Sequence, residues 1–479
     1  MIPGAFQIDP QELAAVVPDC YAEFRPIVAD GLTFFLRHLS PLRLAEIFQA
    51  QADLPADAEL PRRLVLFLHA CPALHKIGQV VARNRHFDPE LRRHLQELES
   101  REPHTPPEQW RPILERELGP AAEEYRIRVG ERPLAEASVA VVVPLTWSDP
   151  ADGADAPRRH GVAKLLKPGV VGRLDEDLNI LGRLAAYLEE RWAAYGLPPL
   201  DYREILNDVA DLLTNEVQVR QEQAHLRLAG RQFAGQSDVQ VPGLLPFCTG
   251  AVTTMERAYG FRVTDPQARR PWQRPALFYS TVRALLSQVL FSRDESVLFH
   301  GDPHAGNLMA TPDGRLAILD WSLAGELTAD DRVRMSQIFV GGLARDAARV
   351  SAAVAGLARD GADEGLIRRH VAAALAGVRW YQPPGPSWAI GLLDALAGAG
   401  VHFPPRLLLF RKAFLILQGV LSDVCPFGSL EAALTAAALA HLAWEWPVRW
   451  YKPLDDRDYA THVSSADLIR LALRAWCLV

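Results

Sequence analysis

Cysteine is sparse and scattered. The five residues Cys20, Cys71, Cys248, Cys425 and Cys477 lie far apart in a chain of 479. There is no CxxC pair and no Cys/His ligand spacing, which argues against a structural zinc site. An odd, dispersed set suits a reducing compartment, where each thiol is a small core residue. An excess of positive charge is missing too. The formal net charge is −7, which disfavours generic binding to a nucleic-acid phosphate backbone. The opening MIPGAFQIDPQEL lacks the basic-then-apolar order of a signal peptide. No run reaches the roughly 18 apolar residues of a membrane span. Residues 407–420 come nearest, and Arg411 and Lys412 interrupt them. Internal repeats and low-complexity tracts are absent. These absences lead to the expectation of a soluble, cytoplasmic protein, with peripheral membrane contact left open.

What is present is a globular composition, 49% apolar, with length enough for two or three domains. Residues 1–120 read as helical. LRRHLQELESRE carries Leu91, Leu95 and Leu98 at helical spacing, and Pro103, Pro106 and Pro107 then break the pattern. ASVAVVVPL and GVAKLLKPGV read as two strands of an antiparallel hairpin, joined by the polar turn SDPADGADAPRRHG. Helical periodicity returns from Asp175 to about Gly230. DVQVPGLLPF and AVTTMERAYG then read as strand, turn and strand. A helix follows over residues 275–296, and alanine- and leucine-rich helices run from 327 to the end. The expected division is a helical extension (1–120), a small strand-rich lobe (121–260) and a larger helical lobe (261–479). A cleft between two lobes is a natural place for chemistry.

The segment HGDPHAGNLMATPDGRLAILDWS, residues 300–322, concentrates polar groups. Asp302 and Asn307 share a loop, and Asp320 follows at the end of the strand RLAILD. Carboxylate and amide oxygens are hard ligands suited to Mg²⁺. The remaining Asp can orient a hydroxyl or a water. Phosphoryl transfer needs little beyond positioning and charge neutralisation. The cationic partner for phosphate is expected upstream. Lys164 lies on a strand among apolar neighbours, where an unpaired lysine is costly; Lys167 is the rival, beside Pro168. Glu216 and Glu222 are the candidate acidic partners on the next helix. Six residues turn a helix through about 600°, so the two carboxylates face different ways and cannot serve one lysine alike.

These residues resemble the UbiB/AarF/ADCK atypical kinase-like family over roughly residues 70–425. KIGQ, Lys76 to Gln79, is similar to the KxGQ signature. PLAEAS is similar to the alanine-rich nucleotide loop, with Ala137 and Ser138 in it. AKLLKPGV matches the strand lysine with its PGV turn, which selects Lys164 over Lys167. TMERAYG resembles the hinge, so the resemblance implies that backbone near Met255 and Glu256 meets adenine. HGDPHAGN and Asp320 match the catalytic and metal motifs. FPPRLLLFRKAFLILQGVLSDVCP also has the family's pattern.

The resemblance implies an α+β, protein-kinase-like two-lobe fold with an added N-terminal helical extension. It implies ATP and Mg²⁺ as ligands, Lys76 paired with Glu216, and Lys164 paired with Glu222. It also implies that KxGQ covers the nucleotide site, which disfavours a protein acceptor. Four positions depart from the pattern. Asp320-Trp321-Ser322 replaces DFG, and Ser lacks glycine's backbone freedom. Glu136 replaces an alanine, and its charge would repel phosphates unless a metal or lysine intervenes. Gln218 replaces the ExD aspartate, and Val141 stands where Gln is common.

The leading expectation is therefore an ATPase or a small-molecule or lipid-pathway kinase, with isoprenoid-lipid or quinone metabolism as the family analogy. Asp302, Lys164 and Asn307 would be catalytic, and Asn307 and Asp320 would hold the metal. The alternatives are a nucleotide-binding regulator with little turnover, and an aminoglycoside- or choline-type phosphotransferase. The acceptor and the oligomeric state are not legible.

Overall fold

The computed structural model describes residues 17, 19–55, 58–82, 105–152, 156–196, 203, 206, 210, 213–270, 273–359, 361–379 and 384–476. The expected helix around Leu91, Leu95 and Leu98 lies outside them, as does the side chain of Gln79. In chain order the first helices are α1 (Arg25–His38), α2 (Pro41–Ala52), α3 (Leu60–Ala70), α4 (Pro72–Ala82) and α5 (Pro107–Ala122). Strands β1 (Arg128–Val129), β2 (Ala135–Glu136), β3 (Ala140–Trp147) and β4 (Arg159–Leu166) follow. Next come α6 (Val170–Glu189), α7 (Val219–Gln232), β5 (Val239–Gln240), β6 (Val252–Glu256) and β7 (Phe261–Arg262). Helix α8 (Arg274–Val282) runs into a π turn at Arg283–Ser287. After it stand β8 (Ser296–His300), β9 (Leu308–Ala310), β10 (Leu316–Ile318) and β11 (Ala324–Thr328). The chain closes with α9 (Ala329–Leu343), α10 (Ala347–Leu357), α11 (Glu364–Ala376), α12 (Pro386–Gly398), α13 (Pro405–Val424), α14 (Leu430–Arg449) and α15 (Ser465–Trp476). Many of the prolines open helices rather than break them: α1, α2, α3, α5, α8, α12 and α13 each carry one in their first two positions. There the missing N–H costs nothing and the fixed φ suits the helix.

The chain forms two compact units. The first comprises residues 1–224 and 243–257, the second 225–242 and 258–479. The extension thus belongs to the same unit as the small sheet, where three parts are expected from the sequence.

In the first unit, β1, β3, β4 and β6 pair in that order and β2 joins β3. The expected hairpin is β3–β4, antiparallel with Val142 opposite Lys164. Alternation along β3 sends Val141, Val143, Leu145 and Trp147 into a core with Trp110, Leu114 and Leu118 of α5. A second core gathers α1 to α4 and α6 around Phe35, Ile47, Phe67, Leu74 and Leu181.

In the second unit, β5, β10, β9 and β7 form one sheet, and β8 pairs with β11. Of the two strands expected in residues 238–260, the first divides: Gly243 to Leu245 pair antiparallel with Thr254 to Glu256 in the first unit, whereas the start, β5, belongs to the second. β5 lies parallel to β10, while β6 is antiparallel to β4 in the other unit's sheet. Two-residue β5 follows α7 and takes the free edge of β10, a long-range pairing that local patterning does not encode. The helix expected over 275–296 ends earlier, because Ser296–His300 is strand β8.

Candidate functional site

The first unit builds its ion pairs from the β4 strand outward. Lys164 stands between Val142 of β3 and Thr253 of β6. Its Nζ lies 2.6 Å from Glu222 Oε1, and both side chains are nearly buried, at 12% and 5% exposure. Glu222 sits in the first turn of α7, where a carboxylate also suits the helix N-terminus. Lys76, on α4, pairs with Glu216. Ser138 Oγ donates to the other oxygen of Glu216 at 3.1 Å. Two lysines thus take two differently directed carboxylates, and the second pair also secures the loop that carries Ala137 and Ser138.

The rival Lys167 has a different task. Its Nζ is 2.7 Å from Glu136, which also accepts the Thr105 N–H at 2.9 Å. The charge of Glu136 is therefore matched by a lysine. Direction matters as well. Glu136 pairs with Val141, whose side chain faces α5, whereas Lys164 shares its row with Val142. Strand alternation therefore places Glu136 on the α5 face and Lys164 on the opposite one. Glu136 ties the start of α5 to the loop.

Met255 and Glu256 end β6, and the first unit ends at Arg257. Met255 pairs with Val162 and is buried. The Glu256 N–H donates to Gly243 C=O at 2.8 Å, and its carboxylate accepts the Gly243 N–H at 3.2 Å. That backbone donor is engaged within the unit.

The second unit assembles Asp302, Asn307 and Asp320 through backbone. Gly301 N–H donates to Leu323 C=O at 2.9 Å. A Cβ on Gly301 would lie 2.9 Å from Leu323 Cγ and 3.0 Å from Leu323 O, so only glycine fits there. Asn307 Nδ2 donates to Asp302 C=O at 3.1 Å, and Leu319 N–H donates to Asn307 C=O at 2.8 Å. Those bonds, with the Ile318–Leu308 register, bring Asp320 beside the loop. His300 fastens both ends. Its Nδ1 accepts the Asp302 N–H at 3.2 Å, and its Nε2 lies 2.9 Å from Leu319 C=O. The bonds fit a neutral ring protonated at Nε2. Burial pushes its pKa below the usual imidazole range.

The DWS segment resolves differently from its expected reading. Asp320, not Ser322, adopts a left-handed backbone, with φ of 51°. Asp tolerates that conformation better than most residues, so the place of glycine imposes no strain on Ser322. Trp321 is 1% exposed. It packs against Phe233 and His300, donates to Ile318 C=O at 3.3 Å, and its own C=O meets His225 Nδ1 at 2.9 Å. Trp321 is a core residue of this unit.

Sequence reasoning missed His225, the tying role of His300, and the anchor of α4. Asp177 accepts the Ala73 N–H at 3.0 Å and pairs with Arg43 at 2.6 Å, both nearly or fully buried. Arg43 also donates to Ala70 C=O at 3.0 Å. The helix bearing Lys76 is thus fixed at its start. A buried Asp on an otherwise apolar helix face was the available signal.

The donor set fits a magnesium-type ion. Among the described residues no three His, Cys, Asp or Glu side chains gather into a metal cage. Asn307 and Asp320 offer an amide and a carboxylate oxygen, and Mg²⁺ characteristically takes few protein ligands beside water and phosphate. Asp320 Oδ1 accepts a 3.2 Å bond from Ser322 N–H.

A family model described as the ABC1 atypical kinase-like domain matches residues 97–354. The chain belongs to the ABC1 atypical kinase-like family. A probable protein kinase UbiB of Xanthomonas campestris pv. campestris (strain B100) is 29% identical over 323 residues, 65% of this chain and 56% of that protein. One from Marinobacter nauticus (strain ATCC 700491 / DSM 11845 / VT8) is 27% identical over 289 residues, 58% and 50% of the two chains. The chain thus spans about half the length of the curated relatives it matches. Among solved structures, the complex of Rv3197 with erythromycin from Mycobacterium tuberculosis aligns with a TM-score of 0.47 and 18% identity, covering 73% of this chain and 86% of that one. Family membership and the mixed architecture together give an α+β, kinase-like fold.

Proposed function

We propose that this ABC1-family chain binds ATP with Mg²⁺ and uses it for hydrolysis or for phosphoryl transfer to a small-molecule or lipid-pathway acceptor. The observation that carries the reading is the Lys164–Glu222 pair, 2.6 Å long and largely shielded from water. A strand lysine held by a helix carboxylate is oriented for phosphate at a fixed position. Asn307 and Asp320 would hold the ion, which would supply charge neutralisation for phosphate. Asp302, fixed through its backbone by His300 and Asn307, orients the attacking hydroxyl or water. Isoprenoid-lipid or quinone metabolism is the setting suggested by the family resemblance.

A second reading, a nucleotide-dependent regulator with little turnover, is favoured by the engaged Glu256 N–H and by Ser322 in place of glycine. ATP turnover by the purified full chain and by Asp302→Asn separates the two. The enzyme reading expects turnover in the wild type and a fall of about 100-fold or more in the variant. Equal background rates in both would establish the regulator instead. The aminoglycoside- or choline-type alternative requires such compounds to consume ATP stoichiometrically. The Lys76–Glu216 pair, which ties the added helix α4 to this site, favours the ABC1-type arrangement over it.

A further inference from the structure

The second unit presents a face whose polarity is inverted. From Thr435 to Leu454, along α14 and the turn after it, every exposed residue is uncharged. Trp444 is 86% exposed, Trp450 75% and Tyr451 90%, with Leu439, Trp446 and Leu454 beside them. The charged residues of the same stretch turn away from water. Glu445 and Arg449 pair at 2.6 Å with side chains 11% and 4% exposed. Arg449 also donates to Val463 C=O and Thr461 Oγ1, and lies over the Tyr459 ring. Lys452 is held by Asp456 and Asp458. An ordinary solvated helix does the reverse, with charge outward and apolar groups inward. An exposed apolar patch of this kind marks an interaction site.

The chemistry of the face selects its occupant. Three indoles and a phenol each combine an apolar body with an N–H or O–H that must stay hydrogen-bonded. The headgroup zone of a bilayer meets both needs, and Trp and Tyr concentrate there. A second apolar protein face would cover the rings but leave those donors short of partners. No helix among the described residues is long and apolar enough to cross a membrane, so the face would rest on the surface, in the manner of interfacial helices. The neighbouring charges are mainly acidic: Asp455 is exposed, and Asp456 and Asp458 both pair with Lys452. Attraction to anionic lipid is therefore not the driving force.

We propose that the aromatic face of residues 439–454 seats the protein on the interfacial zone of a zwitterionic phospholipid bilayer. This inference is independent of the nucleotide reading.

The test is flotation of the full chain with phosphatidylcholine vesicles at about 0.1 M and about 0.5 M salt, alongside tryptophan quenching by brominated phosphatidylcholine. The wild type floats at both salt concentrations and is quenched. The triple variant Trp444→Ser, Trp450→Ser, Tyr451→Ser loses flotation by about tenfold or more. These side chains are exposed, so circular dichroism and the melting curve of the variant match the wild type and serve as the folding control. The proposal is overturned if the wild type does not float, or if the triple variant floats equally well. It is also overturned if binding requires anionic lipid and vanishes at high salt. Sedimentation velocity without lipid gives a further arm: a wild-type dimer that the triple variant abolishes assigns the face to a second copy and rejects the bilayer.

Discussion

Single residues in this protein are constrained by close approach and by proton affinity. Gly301 is the steric case at the candidate site, because its added Cβ would press on Leu323 backbone as well as side chain. Gly301→Ala is expected to cost about 1–3 kcal/mol, read as a lower midpoint in urea unfolding. A midpoint unchanged from wild type would mean that the loop shifts without cost. His300 and His462 set the acid limit. Burial lowers both, His462 to about 4 with help from Arg332, against the ordinary 6.5. Each binds its proton more weakly folded than unfolded. Their contribution to stability is therefore complete above pH 6.5 and is lost as pH falls through that value toward 4. Thermal melts from pH 8 down to pH 4.5 should hold level and then decline below about 6.5. A melting temperature independent of pH over that range would contradict the burial of these rings.

At the scale of the element, caps and anchors decide where functional side chains stand. Thr328 closes a capping box with Asp331 at the start of α9, and Asp331 also takes two bonds from Arg406 of α13. Thr328→Ala should cost about 1 kcal/mol, measured by chemical unfolding. The α4 anchor is more severe. Asp177→Asn removes the charge from a fully buried carboxylate and leaves Arg43 with Glu176 at 3.2 Å as its remaining ion pair, so a loss of about 3 kcal/mol is expected. A variant as stable as wild type would show that Glu176 alone compensates Arg43.

This scale is also where the sequence was most and least informative. The β3–β4 hairpin was legible because alternation of Val141, Val143 and Leu145 is a local signal, as was the HGD loop framed by β8 and β10. The pairing of β5 with β10 was not, because two residues carry no period and their partner lies more than seventy positions away. The direction of Glu136 was equally hidden. It depends on the register of β2 against β3, which spacing along the chain does not reveal.

At the scale of the whole molecule, each unit carries its own set of candidate residues. The first holds Lys164 and Glu222 and secures its loop through Lys76, Glu216 and Ser138. The second holds Asp302, Asn307 and Asp320 on a scaffold of backbone hydrogen bonds. Both sets of candidate residues were legible in the sequence through their motifs. The contacts that orient them were not: Asp177 and His225 stand outside the motifs, and His300, though the first residue of HGDPHAGN, acts through main-chain contacts that the motif does not spell out. The central claim is the proposal that this chain binds ATP together with Mg²⁺. Isothermal titration of the full chain with ATP, with Mg²⁺ and with excess chelator, tests it most directly. The account predicts saturable binding that weakens by about tenfold or more on chelation and again in Lys164→Ala. Binding of equal strength in all three conditions, or none in the wild type, would contradict it.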